Sequence, residues 1–147
     1  MLGVAGSHNS RLNHAIAQSE TKGDTWSDVK LLPIVGSTCE GSIGRDIHSA
    51  PGQVLLGATS GLNRFRLGRG NMSVFSLDTA TPGAEPVSVE DVWPDAAGYS
   101  DMAQAPGPGS PVMILFEGGG GTYDYGIKIS PILGTGGASI QRSLNAN

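Results

Sequence analysis

The apolar residues of this chain come in short runs separated by turn-forming clusters. Gly, Pro, Ser, Asn or Asp bound each run, a pattern typical of β-strands joined by turns. No stretch keeps the 3.6-residue apolar period of an amphipathic helix for three turns. The pattern therefore predicts an all-β chain. The predicted strands are residues 12–18, 29–35, 54–56, 72–75, 87–92, 112–116 and 126–132.

Two architectures accommodate this number of strands. One is a small β-sandwich. The other is three blades of a β-propeller, because a blade takes roughly 40–50 residues and four strands. Three blades cannot close a ring on their own, and periodicity alone favours neither architecture. Residues 1–133 are predicted to form the domain, and the Gly-, Ser- and Asn-rich residues 134–147 a flexible tail.

Length and charge exclude some broad functional classes. The chain has 147 residues, enough for one domain. Its longest apolar run, residues 112–116, is far shorter than the ~20 residues of a membrane-spanning helix, so no membrane span is predicted. Thirteen acidic and nine basic residues give a formal net charge of −4. This charge does not attract a phosphate backbone broadly, and we expect no nucleic-acid partner.

Metal and redox chemistry find little support in the sequence. Cys39 is the only cysteine, which excludes an intrachain disulfide and a Cys-rich zinc site. His8, His14 and His48 do not have metal-ligand spacing. The sequence therefore predicts no metal and no cofactor. The N-terminus has no basic segment followed by an apolar one, so no signal peptide is predicted and the compartment stays undetermined.

One segment has the form of a known repeat. Residues 19–26 read Ser-Glu-Thr-Lys-Gly-Asp-Thr-Trp. They resemble the sialidase Asp-box, Ser-x-Asp-x-Gly-x-Thr-Trp, with Thr21 in place of the Asp. The resemblance implies a hairpin turn between the third and fourth strands of a propeller blade. Gly23 would take the positive φ of that turn, and Trp26 would insert into the core. A degenerate second copy begins at Ser76.

Further segments resemble the same family in the same order. Together they cover about residues 4–133, so the chain is similar to the C-terminal part of an exo-α-sialidase catalytic domain. The implied fold is a partial six-bladed β-propeller of about three blades with Asp-box hairpins. The segments are Cys-Glu-Gly-Ser-Ile at 39–43, Arg-Gly-Asn-Met-Ser at 69–73, Trp-Pro to Gly-Tyr-Ser-Asp-Met at 93–102, Phe-Glu-Gly at 116–118, and Tyr-Gly-Ile-Lys-Ile at 125–129.

The resemblance also implies a site that hydrolyses terminal sialic acids from glycoproteins, gangliosides or oligosaccharides. Tyr99 would be the nucleophile, and Glu117 would lie beside the first arginine of the family's triad and orient it. Arg69 would hold the substrate carboxylate in a forked ion pair, with Arg64 and Arg66 as alternatives. A tyrosine suits this sugar because its anomeric carbon carries a carboxylate, which repels a neutral phenol less than it repels Asp or Glu.

The sequence departs from the family pattern in ways that affect activity. Gly6 stands where the family has the second arginine of its triad. In the family, the first arginine, the aspartate acid/base and the glutamate that activates the tyrosine all precede the matching segment. We therefore expect little activity from the isolated chain, and either a missing N-terminal portion or self-association through open sheet edges. The alternatives are a non-catalytic glycan-binding or degenerate propeller module, and an unrelated β-sandwich.

Overall fold

The regular structure of the chain consists of β-strands, which confirms the all-β prediction. No α-helix occurs in the part of the chain that the computed structural model describes. The described residues are 2–5, 13–36, 41–47, 51–59, 70–81, 85–120 and 126–133. The predicted tail at 134–147 lies outside them. None of the described residues forms a helix long and apolar enough to cross a membrane.

The described residues form ten strands in three sheets, and within each sheet every strand pairs in antiparallel fashion with its neighbour in the sequence. The first sheet has the order β1-β2-β3, the middle sheet β4-β5-β6-β7, and the last sheet β10-β9-β8. The strands are β1 (Leu2–Ala5), β2 (Asn13–Gln18), β3 (Lys30–Val35), β4 (Ser42–Gly44), β5 (Gln53–Thr59), β6 (Met72–Asp78), β7 (Val87–Trp93), β8 (Ala96–Gln104), β9 (Val112–Gly119) and β10 (Gly126–Pro131).

The middle sheet packs between the other two. Successive side chains of a strand point to opposite faces of its sheet, so β5 contributes to both cores. The first core, between the first and middle sheets, consists of Leu32, Ile34, Val54, Leu56, Ala58 and Leu77. The second core, between the middle and last sheets, consists of Leu55, Met72, Val74, Ala97, Met102, Val112, Ile114, Phe116 and Ile132.

The sheets approach one another most closely at their first strands. The hydroxyl oxygens of Ser42 in β4 and Ser100 in β8 are 2.9 Å apart. A Cβ on Gly44 would lie 3.0 Å from the Cβ of Met102. Because positions 42 and 44 meet positions 100 and 102 in that order, β4 and β8 run side by side in the same direction. β1 also lies against β4. The three sheets therefore converge along β1, β4 and β8.

The hairpin turn between β2 and β3 is the segment that resembles the Asp-box. The Thr21 hydroxyl oxygen accepts a hydrogen bond from the backbone N–H of Thr25 at 2.8 Å. The Ser19 hydroxyl oxygen accepts one from the N–H of Gly23 at 2.7 Å. Gly23 has a φ of 106°, which confirms its predicted positive φ. The threonine hydroxyl thus holds the turn at the position where the repeat has a carboxylate.

Trp26 does not insert into the core, so that expectation is wrong. Its side chain is 46% exposed. The ring borders a surface hollow together with the turn residues Glu20, Thr21 and Thr25. Because the turn extends beyond the ends of β2 and β3, the indole packs beside the turn itself and does not reach between the sheets.

A carboxylate makes local hydrogen bonds at the end of β6, the third strand of the middle sheet. The segment that resembles a degenerate second copy of the Asp-box begins at Ser76, within this strand. The Asp78 carboxylate accepts hydrogen bonds from the N–H of Ala80 at 2.9 Å and from the hydroxyl of Thr81 at 2.7 Å. These bonds, led by that of Thr81, lower the pKa of Asp78.

The seven predicted strands correspond to β2, β3, β5, β6, β7, β9 and β10. The sequence pattern missed β1, β4 and β8. Each missed strand is the first of its sheet and belongs to the side where the sheets converge. The missed strands therefore share one location in the fold.

Candidate functional site

A β-bulge in the last sheet brings two of the predicted site residues together. The register of the β8–β9 pair shifts between Ala97 and Ser100, which leaves Gly98 and Tyr99 opposite Glu117. A bulge of this kind places two residues of one strand against one residue of its partner, and bulges frequently redirect a side chain beside a functional site. Tyr99 and Glu117, which are distant in sequence, are thus cross-strand neighbours.

The absence of a side chain at Gly98 makes room for the Glu117 carboxylate. A Cβ at position 98 would lie 2.5 Å from Glu117 Oε2 and 3.5 Å from Glu117 Cβ. Real Cβ atoms do not tolerate the shorter of these distances. The carboxylate therefore lies against the backbone of the residue that directly precedes Tyr99.

Tyr99 lies on the face of the last sheet that points away from the middle sheet, and we call this the outer face of the last sheet. The next residue, Ser100, faces the middle sheet through its contact with Ser42. The Tyr99 side chain is 47% exposed. The third predicted site residue, Arg69, lies outside the described residues, as do its alternatives Arg64 and Arg66.

The outer face of the last sheet changes from polar to apolar across its three strands. β8 contributes Tyr99 and Asp101, whereas β10 contributes Ile127 and Ile129. Glu117 and Leu115 lie between them on β9, so that the two rows across the sheet are Tyr99, Glu117, Ile127 and Asp101, Leu115, Ile129. Polar groups therefore lie on the side where the sheets converge. Sequence reasoning missed Asp101, although strand alternation from Tyr99 would have placed it on the same face.

A cavity of about 280 Å³ lies elsewhere, between the first and middle sheets. Its apolar lining includes Ile16, Leu32 and Leu77, and charged groups near it include Lys30 and Glu85. It is therefore separate from Tyr99 and Glu117, which lie on the far side of the last sheet. Sequence patterns do not reveal such a cavity, because it arises from how two sheets meet.

His14 is a buried polar group at the same interface. Its Nε2 lies 3.2 Å from the backbone oxygen of Thr59, so Nε2 carries the hydrogen and donates it. Nδ1 is buried and makes no hydrogen bond. Burial lowers the pKa of His14, and the bond to Thr59 offsets part of that effect. Among the described residues, no three His, Cys, Asp or Glu side chains cluster as metal ligands would.

Comparisons with known proteins identify no family for this chain. No protein-family model matches the chain, and no curated protein matches it. The juxtaposition of a half-exposed tyrosine and a carboxylate across a bulge is therefore the principal chemical feature on which a function can be argued. The phenol is a potential nucleophile, and the carboxylate can accept hydrogen bonds or pair with a cation.

Proposed function

We propose that this chain is part of a sialidase-type β-propeller that hydrolyses terminal sialic acids, with Tyr99 as its nucleophile. The observation that carries the proposal is the bulge that sets Tyr99 opposite Glu117 on an exposed sheet face. The two residues come from two separate sequence segments that resemble the sialidase family. Their proximity is what a shared site requires.

The arrangement of the sheets supports the propeller part of the proposal. Each sheet is an antiparallel meander in sequence order, as in a propeller blade. The first strands β4 and β8 run in the same direction and lie in contact, as strands around a central channel do. A side-chain oxygen also accepts a backbone hydrogen bond after the next-to-last strand of two consecutive sheets, that of Thr21 after β2 and that of Asp78 at the end of β6.

In the proposed reaction, the Tyr99 oxygen attacks the anomeric carbon and the bond to the leaving glycan breaks. Water then hydrolyses the glycosyl–tyrosine intermediate, and configuration is retained. Because a tyrosine pKa is near ~10, a base must take the phenol proton and an acid must protonate the leaving oxygen. In the sialidase family, an aspartate and a glutamate that precede the matching segment take these two roles. Glu117 orients the first arginine of the family's triad, which precedes the matching segment, and Arg69, as the third arginine, holds the substrate carboxylate.

Hydrolysis of a fluorogenic sialic-acid glycoside by the purified 147-residue chain tests this function. Turnover that disappears in Tyr99→Phe but persists in Tyr123→Phe supports a tyrosine nucleophile at position 99. Tyr123 is a suitable control because its substitution removes the same hydroxyl outside the family-like segments. Measurable turnover that is equal in the wild type and Tyr99→Phe contradicts the assignment, and a folded wild type without turnover favours the non-catalytic candidate below.

A non-catalytic glycan-binding module is the second candidate, and Gly6 favours it. Gly6 stands where the resemblance places an arginine of the triad. The absence of that arginine removes one ion pair to a substrate carboxylate. This candidate expects a folded chain that binds sialic acid without hydrolysing the glycoside. Binding measured by NMR titration should then disappear in Arg69→Ala and persist in Arg45→Ala. Arg45 is a suitable control because it is an exposed arginine that directly follows β4.

A further inference from the structure

The cavity between the first and middle sheets has an apolar interior and a charged rim. Leu32 and Leu77 in its lining are buried, and Ile16 beside them packs against the first core. The charged side chains of the lining are exposed and therefore lie at the rim; they are Lys30, Asp78 and Glu85. The volume of about 280 Å³ is just below the ~300–1,000 Å³ of pockets that hold drug-sized ligands, so a smaller molecule fits.

The cavity lies at the end of the interface where β2 and β6 finish. Its lining includes the last residues of both strands, 16–18 and 77–78. Where β2 leads into its turn, the N–H of Ser27 donates to the backbone oxygen of Gln18 at 2.8 Å. Gln18 and Ser27 also line the hollow beside Trp26, so the hollow and the cavity adjoin. The β2–β3 turn therefore borders the cavity.

The Asp78 carboxylate is held in place at the rim. Its two oxygens accept hydrogen bonds from the N–H of Ala80 at 2.9 Å and from the hydroxyl of Thr81 at 2.7 Å. The intervening Thr79 donates its N–H and its hydroxyl to the Gly52 oxygen, at 2.8 and 2.6 Å. A carboxylate accepts about four hydrogen bonds, so this one retains capacity for a further donor. Because the group is positioned in advance, binding to it costs little ordering entropy.

This end of the molecule is predominantly acidic. Among the charged residues of the described lining, the carboxylates of Asp78 and Glu85 outnumber the ammonium group of Lys30. The long side chain of Lys30 can cover apolar surface with its methylenes while its ammonium group stays in water. The β2–β3 turn adds three carboxylates and one ammonium group, those of Glu20, Asp24, Asp28 and Lys22. Such an excess of one sign raises the local concentration of counter-ions, here of cations.

We infer that the cavity binds a small amphipathic amine, with its apolar tail against Leu32 and Leu77 and its protonated nitrogen at the rim near Asp78 and Glu85. An apolar interior alone suits a fatty acid or an alcohol equally well. The excess of carboxylates favours a cationic head group and disfavours an anionic one. The site is independent of the proposed hydrolysis, because Tyr99 lies on the outer face of the last sheet.

Three probes that share one tail test the inference on the 147-residue chain at neutral pH. Hexylamine is protonated there, as a lysine side chain is. In an NMR titration it should shift the methyl signals of Ile16, Leu32 and Leu77. Those of Ile114, fully buried in the second core, should stay unchanged. Hexylamine should bind several-fold more tightly than hexanol, and hexanoate should bind most weakly. Binding of hexanol or hexanoate that equals that of hexylamine, or no shift at the cavity methyls, overturns the inference.

Two substitutions of exposed residues test the charge of the rim without disturbing the core. Glu85→Gln should weaken hexylamine binding by roughly two- to fivefold, the effect of one exposed ion pair, and leave hexanol binding unchanged. Lys30→Gln should strengthen hexylamine binding. Asp95→Asn is the matched control, since it removes the same charge from an exposed position after β7. Equal effects of Glu85→Gln and Asp95→Asn, or weaker binding in Lys30→Gln, contradict a cation site here.

The length of the tail tests the apolar half of the site. From butylamine to hexylamine, affinity should rise roughly fourfold for each methylene that enters the cavity. An affinity that does not change with tail length would show that the amine contacts the rim alone, and would overturn the assignment of the tail to the cavity.

Discussion

The interface between the first and middle sheets contains a buried histidine and a cavity of about 280 Å³, whereas the interface between the middle and last sheets is lined by fully buried apolar side chains. The middle sheet therefore packs less completely against the first sheet than against the last sheet. At the second interface, Val112 and Ile114 have no exposed surface, and Gly57 allows β9 to approach closely. At the first, His14 replaces an apolar contact with a polar one.

The difference indicates where the stability of the chain resides. Burying one aliphatic side chain stabilises a fold by about 1.5–3 kcal/mol, so the larger second core carries more of the total. A polar group in the first core contributes less and depends on its protonation. We expect the first sheet to be the more easily displaced of the two outer sheets.

The strongest way to break the second interface is Ile114→Ala. Ile114 is fully buried, so the variant loses transfer free energy and leaves a cavity, and the free energy of unfolding should fall by about 2–5 kcal/mol. Urea denaturation measures the change. The control Val87→Ala, at an exposed position, should stay within about 0.5 kcal/mol of the wild type.

The matching substitution in the first interface is Leu32→Ala. Leu32 is buried but borders the existing cavity, so it has fewer packing partners to lose. The free energy of unfolding should fall by about 2 kcal/mol, the low end of the range for such substitutions. A loss as large as that of Ile114→Ala would contradict the difference between the two interfaces.

Gly57→Ala tests how tightly the second interface is closed. The new Cβ would lie 2.7 Å from Ser42 Oγ and 2.9 Å from Ile114 Cδ1, so neighbours must shift, at a cost of about 1–3 kcal/mol. Removal of Cδ1 relieves one of the two clashes. The double variant Gly57→Ala/Ile114→Val should therefore be less destabilised than the sum of the single variants, and strict additivity would count against this packing.

The smallest expected effect is the pH dependence of the first interface. Since burial lowers the pKa of His14 in the folded chain, the unfolded chain binds the proton more readily. Stability should therefore fall as pH decreases below the ordinary histidine pKa of about 6.5, until the folded group is also protonated. Urea denaturation between neutral and mildly acidic pH should show a shallower decline for His14→Gln than for His48→Gln. Parallel curves for the two variants would argue against a role for His14.

The apolar runs were enough to predict the outer strands of each sheet, but not the first strands. β4 and β8 approach within contact at Gly44 and Ser42, and such proximity requires small or polar residues. A strand built from those residues lacks the alternating Val and Ile pattern that reveals a strand in sequence. Its position is therefore evident only once neighbouring sheets are in place.

The candidate site was predictable to a similar degree. Sequence resemblance selected Tyr99 and Glu117, and the register of β8 and β9 makes them neighbours. The bulge itself could not be predicted, because it depends on the pairing of two strands and not on either strand alone. The exposed position of Trp26 was missed for a related reason, since the hairpin carries it past the end of the core.

The hydroxyl that holds the β2–β3 turn has a consequence for acid tolerance. The Thr21 hydroxyl accepts the hydrogen bond of Thr25 in an uncharged form at every pH. Asp78 at the end of β6 accepts its two bonds as an ionised group, and in strong acid it takes up a proton and loses part of that capacity. The β2–β3 turn is therefore held by an acceptor that does not depend on protonation, whereas the acceptor at the end of β6 does.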